Sequence, residues 1–181
     1  MNRPALRVSR RRRTRGVATV EFALVLIPLL IIVTGIAEFG RAIYQYEALT
    51  KATRDAARYL STYLPTDPAY PVAAAQCLAV YGSTTCGSQG TELAPGLTTS
   101  MVVICDAAHT ANCSDASDPA QFANVPTYDT NNGTANPSYL SGSINLVEVK
   151  IKGYPYQPTP AFFTLPPITF SNIVTIMRQV S

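Results

Sequence analysis

Tryptophan is missing from this 181-residue chain, histidine occurs once, and only 14% of the residues are charged. With His109 as the single imidazole, a hydrolytic triad or a histidine-built metal centre has one residue to draw on. That residue sits in Ala107-Ala108-His109-Thr110, and no Gly-x-Ser-x-Gly stands elsewhere, so it reads as a solvated loop histidine. Neither Gly-x-x-x-x-Gly-Lys-Ser/Thr nor Gly-x-Gly-x-x-Gly is present, which removes the usual phosphate-cradling loops. No Cys-x-x-Cys and no Asp-x-Asp-x-Asp-Gly occurs either. Asp106, Asp115, Asp118 and Asp129 therefore read as solvated turn residues with at most a weak hold on a cation. The sequence points away from an enzyme, a cofactor, a metal or a small-molecule substrate.

Acids are also missing from the first 20 residues, and this absence organises the chain. Arg3, Arg7, Arg10, Arg11, Arg12, Arg13 and Arg15 supply seven of the fourteen basic residues within positions 1–16, whereas all eleven acids lie beyond Gly16. Directly after Gly16, Val17 to Ala37 form an apolar run of 21 residues with Glu21 as its only ionisable side chain. At the helical rise this run is roughly 31 Å long, about one hydrocarbon thickness. It reads as a membrane span in contact with the lipid bilayer. An arginine cluster set against a span is an orientation signal rather than a phosphate-binding tract, so no nucleic-acid partner is expected. It holds the N-terminus in the cytoplasm and sends the remainder outward.

A carboxylate in a span costs on the order of 2.5–3.5 kcal/mol at mid-depth and less near the interface, so it usually has a partner. If the chain were cut after Gly16, Val17 would carry a free amine and Glu21 would be the fifth mature residue, one helical turn away. A basic leader, Gly at the junction, Glu at mature position five and Phe22 after it resemble the type IV prepilin signal. In the form Gly-x-x-x-x-Glu-Phe they resemble the tight-adherence (Tad, Flp) pilus proteins. The run Val20-Glu21-Phe22-Ala23-Leu24, Pro28, Glu38-Phe39-Gly40-Arg41 and Ala48-Leu49-Thr50-Lys51-Ala52 through Ala57-Arg58-Tyr59 resembles the TadE-like minor pseudopilins. The likeness covers about residues 16–60 and returns at Tyr154-Pro155-Tyr156-Gln157-Pro158 and at Ile176-Met177-Arg178. Ala56 stands where that family usually carries Gly, a change expected to be silent.

The resemblance implies that a prepilin peptidase cuts Gly16–Val17 on the cytoplasmic side. It also implies that the mature protein stays in the bacterial inner membrane until drawn into, or beneath, a growing fibre. The implied partners are a companion pseudopilin, the major pilin and the inner-membrane platform. Glu21, with Phe22 beside it, would then set axial register by pairing with the Val17 amine of an adjoining subunit.

Four segments follow: a disordered leader (1–16), the span (17–37), its periplasmic continuation as the same helix (38–64), and a head (65–181). Pro28 removes one backbone hydrogen bond and is expected to kink the span. Phe39, Ile43, Tyr46, Leu49, Thr53, Ala57 and Leu60 recur at three or four residues and predict one buried stripe. Val17 to about Leu64 would make a shaft approaching ~70 Å. Pro65, Pro68 and Pro71 end it, and Val72 to about Tyr81 reads as a short second helix with Gly82 past its end.

Strands are predicted at Thr98–Cys105, Leu146–Lys152 and Ile168–Val180. In the second, Val147, Val149 and Ile151 share one face and Glu148, Lys150 and Lys152 the other; in the third, the even positions Ile168, Phe170, Val174, Ile176 and Val180 point one way. The stretch from Asp106 to Gly142 reads as a long loop. The expected architecture is α+β: a long helix packed at its outer half on a small antiparallel sheet, with a short second helix.

Cys77, Cys86, Cys105 and Cys113 all lie in the outward portion, and an even count there suits an oxidising compartment. Four cysteines allow three pairings. Short spacings favour Cys77–Cys86 and Cys105–Cys113. Tyr44, Tyr46, Tyr59, Tyr63, Tyr154 and Tyr156 form an aromatic set read mainly as core or interface-belt residues, with a partner surface as the lesser reading. Two rival organisations stand beside the pilus reading. One is a secreted protein cut after Ala37, where Gly35-Ile36-Ala37 passes the small-x-small test; the other is an uncleaved single-span anchor with a periplasmic binding head.

Overall fold

A computed structural model describes residues 15–87, 90–128, 140–159 and 168–180. Most of the expected leader, with Arg10, Arg11, Arg12 and Arg13, lies outside them. The first element is one helix, α1 (Arg15–Leu60), with Pro28 inside it. It ends four residues earlier than the sequence suggests. Past Leu60 the chain leaves the helix through Tyr63 N–H donating to the Leu60 carbonyl and Asp67 N–H to that of Leu64.

From Leu49 onward α1 is a core helix. Leu49, Ala52, Thr53, Ala56, Ala57 and Leu60 are buried, and the small residues among them let neighbouring elements come close. The upper part of the expected stripe is different: Phe39, Ile43 and Tyr46 are 69%, 44% and 45% exposed. The covered line instead runs through Glu38, Arg41 and Gln45, polar residues about one position round the helix. What covers it there are tyrosine hydroxyls and carbonyl groups, so a purely apolar pattern misplaces it.

A second helix, α2 (Val72–Tyr81), packs on α1, as its alanines permit. Gly82 ends it in the left-handed conformation (φ 70°), donating its N–H to the Leu78 carbonyl. The Cys77–Cys86 disulfide fastens the loop that follows.

The sheet is built on one long strand. Strand β1 (Val102–Cys105), β2 (Val125–Tyr128) and β3 (Leu140–Ile151) come first, then β4 (Pro155–Tyr156), β5 (Ile168–Thr169) and β6 (Ile173–Gln179). All pairings are antiparallel: β3 takes β1, β2 and β6, while β4 and β5 form a separate small pair. Val147, Val149 and Ile151 face the core with Val102, Ile104 and Ile173, closing it over α1 and α2.

Three expectations need correction. Thr99–Met101 form a 3-10 turn, so β1 holds only the last four residues of the predicted strand. The supposed loop from Asp106 to Gly142 contains β2 and the start of β3. The closing strand is two strands: Phe170 N–H donates to the Tyr154 carbonyl, and the chain resumes at Ile173. That break changes the parity. Ile173 and Gln179 are buried and Thr175 meets Thr53 of α1 at 2.9 Å, whereas Ile168, Ile176 and Val180 are exposed.

Candidate functional site

The exposed half of α1 presents Val17, Phe22, Leu24, Val25, Ile32 and Ile36 with no protein against it; Val17 and Phe22 are 63% and 65% exposed. A helix of this length and apolarity is able to cross a membrane, and the most apolar 18-residue window is 0% buried. In a bilayer the same surface is matched by lipid, and the helix satisfies its own backbone polar groups. Glu21 is the one acid in that surface, and it too is exposed. Gly16 lies in the first turn of α1, where an added Cβ would meet nothing within 4 Å. The fold therefore places no steric demand for glycine at 16.

At the end of the apolar run the head clasps the helix. The Glu38 carboxylate accepts from the Tyr156 hydroxyl at 2.7 Å and from the Thr159 backbone N–H at 3.3 Å. Arg41 donates to the Gln157 carbonyl at 2.6 Å and to the Thr159 hydroxyl, and its guanidinium lies 5.7 Å from the centre of the Tyr156 ring. The Tyr156 hydroxyl holds the Glu38 carboxyl below the usual carboxylate range, against the opposing effect of burial. One turn further on, the Tyr154 hydroxyl reaches Gln45 Oε1 at 3.2 Å and the Pro95 carbonyl at 3.0 Å. Phe170 stacks on Tyr156 and meets Tyr46 edge-on. Of the aromatic set, Tyr154 and Tyr156 are thus core residues, while Tyr44 is 72% exposed.

Residues 16–58 match the family model described as TadE-like protein. Over this helix the chain is similar to that family. The match covers most of α1, from the exposed apolar half into the part packed under the head, and leaves the head outside it. No curated protein and no solved structure matches the chain.

The second polar assembly lies on the far face of the sheet, and sequence reasoning missed it. Glu148 and Lys150 alternate with the core residues as predicted, yet both are 0% exposed. The segment after β1 folds across them: the Cys105–Cys113 disulfide turns it back, and Phe122 (6% exposed) anchors its far end. Lys150 Nζ sits 2.9 Å from Asp115 and 2.5 Å from Asp118, and Lys152 Nζ sits 2.8 Å from Asp115. Asp115 and Asp118 are thus partnered rather than free turn residues. Burial pushes the Glu148 carboxyl up to about 7, with the neighbouring Asp118 adding to the rise. Burial also works against a charged Lys150, but Asp118 and Asp115 outweigh it and hold the ammonium above its ordinary value. Cys105 Sγ, Asp118 and Glu148 come within 4.8 Å of one another. The sulfur belongs to a disulfide and Lys150 already sits against both carboxylates, so this donor set does not suit a metal ion. The loop aromatic Phe122 was the one signal in the sequence that this segment had something to bury.

Nearby, Asp106 is fully buried and binds the ring of His109 at 2.9 Å, which stacks on Tyr70. The predicted loop histidine keeps 40% of its side chain exposed and is partnered as well. The described cysteines pair as the short spacings favoured.

Proposed function

We propose that this chain is a minor pseudopilin-type component of a Tad pilus assembly, held in the inner membrane by residues 17–37 with its head in the periplasm. The observation that carries this reading is the single helix of 46 residues, uncovered and apolar at one end and the core of a folded head at the other, with the TadE-like match laid along it. Lipid, and then neighbouring helices, would cover the exposed half in turn. In this reading a prepilin peptidase cuts Gly16–Val17, and glycine is required at 16 by the peptidase rather than by the fold, which fits the open space around it. Glu21 then pairs with the Val17 amine of an adjoining subunit, an arrangement that fixes register more than it adds stability. Its partners are the peptidase, a companion pseudopilin, the major pilin and the inner-membrane platform. The role is structural and needs no catalysis on a substrate.

N-terminal sequencing of the protein recovered from cells tests the reading. A start at Val17 is expected; a start at Glu38 would make it a secreted protein, and a start at Met1 an uncleaved anchor. Gly16→Ala should block processing, whereas Glu21→Ala should permit processing but impair assembly. Normal pili with both variants would sink the proposal.

A further inference from the structure

The Lys150 cluster differs from an ordinary ion pair. Exposed pairs are loose and solvated, and buried ones persist where their spare lone pairs are satisfied. Here they are not: Asp118 Oδ1 and both carboxyl oxygens of Glu148 are buried without a hydrogen-bond partner. The side chains of Lys150 and Glu148 are 0% exposed and that of Asp118 2%. The Cys105–Cys113 disulfide closes one side, with Cys105 opposite Glu148 in the sheet. An amine nitrogen is thus held beside a carboxyl group in a buried site, 2.5 Å from Asp118 Oδ2, with a second carboxyl 3.5 Å from the same nitrogen.

We propose that Lys150 and Asp118 become joined by an intramolecular isopeptide bond, formed by the folded chain itself with Glu148 carrying the proton. The Lys150 ammonium first passes a proton to the Asp118 carboxylate, leaving a neutral amine beside a carboxylic acid. The Nζ lone pair then attacks Asp118 Cγ. Protonated Glu148 gives its proton to the departing oxygen and takes one from Nζ; the C–O bond breaks and water leaves. One ammonium and one carboxylate become one amide and one water, and Glu148 ends as it began. A carboxyl that holds its proton near neutral pH, as burial makes Glu148 do, suits this exchange.

Two physical factors favour the reaction here. Fixing amine and acid in contact supplies the orientation that a bimolecular amide synthesis lacks. Converting two buried charges into a neutral amide also removes the desolvation cost of the pair. Asp115 is the poorer acceptor: its side chain is 28% exposed, and Lys152 and Asn172 already hold it at 2.8 and 3.2 Å.

Intact mass of the full chain purified in detergent, its start fixed by N-terminal sequencing, decides the matter. Beyond the two disulfides, the protein should be lighter by one water, about 18 Da. Trypsin should fail to cut after Lys150, and fragment ions should tie the segment containing Asp118 to Lys150. Lys150→Arg keeps the charge but lacks the primary amine, so its mass should show no loss. Glu148→Gln, folded by near-ultraviolet circular dichroism, should stay unlinked. Wild-type protein at full mass would overturn the proposal, as would a water loss that survives Lys150→Arg. A linked Glu148→Gln protein would overturn Glu148 as the proton carrier. Because the wild-type mass alone is decisive, a variant that fails to fold does not protect the idea.

Discussion

Tyr156, on a two-residue strand of the head, donates its hydroxyl to Glu38, the first residue after the apolar run, at 2.7 Å. This contact and the Arg41 hydrogen bonds to Gln157 and Thr159 fasten the head to the helix where its apolar run ends. Tyr156→Phe keeps the ring and its stacking on Phe170 while deleting the donor. The expected result is faster amide hydrogen exchange at residues 155–159, with exchange in β3 unchanged and melting temperature only slightly lower. Unchanged exchange at Thr159 would mean that the clasp is held by Arg41 alone.

Stability should respond to pH through Glu148. Its folded pKa of about 7 lies above the ordinary 4.5, so the folded chain binds more protons in that interval. The contribution is fully present below about pH 4.5 and is lost as pH rises through 7, on the order of 2 kcal/mol. Asp115 has its pKa lowered, by Lys152 first and then Lys150; its stabilisation disappears in the opposite direction, as pH falls below the ordinary carboxylate range. Burial, the largest cause at Glu148, is the same whether or not Lys150 and Asp118 are joined. Detergent-solubilised protein should therefore melt higher at pH 5.5 than at pH 8, and Glu148→Gln should abolish the difference.

Two apolar residues on one helix should behave oppositely. Leu49 is 0% exposed, and Leu49→Ala should cost about 2–5 kcal/mol in denaturant titrations. Phe39 is 69% exposed, and Phe39→Ala should leave stability within about 0.5 kcal/mol of wild type. If Phe39 faces another helix in the assembled fibre, the second variant should lower pilus number without lowering protein level. A loss of stability at Phe39 would show that its surface is covered within the monomer.

The Cys105–Cys113 bridge closes a short loop beside the segment that covers Lys150. Replacing both with Ser should cost about 2–3 kcal/mol. Without the bridge the cover over Lys150 should loosen enough to leave it unlinked to Asp118, with a free amine that a water-soluble reagent acetylates, read by peptide mass mapping. Replacing Cys77 and Cys86, which fasten the loop after α2, should leave Lys150 protected.

The apolar run, α2 with its Gly82 end, the alternation in β3 and both disulfides were legible because each is a local signal. Two matters were not, and both concern what covers a surface. The face of α1 at Glu38, Arg41 and Gln45 looked like the solvent side, because its partners are hydroxyls and carbonyls more than a hundred residues away. Glu148 and Lys150 alternate as a solvated face does; only the return of residues 106–123 over the sheet buries them. The change of parity between Phe170, packed on the core, and the exposed Ile176 has a different cause, the break after Phe170, which no period-two count anticipates.

Since α1 runs from Arg15 to Leu60 as one helix, with Pro28 inside it, and the clasp at Glu38 adds a second attachment, the part suited to lipid and the folded head are mechanically continuous. A tug on the greasy end reaches the β-sheet with little slack to absorb it. Whatever draws this helix upward must move the head in the same stroke.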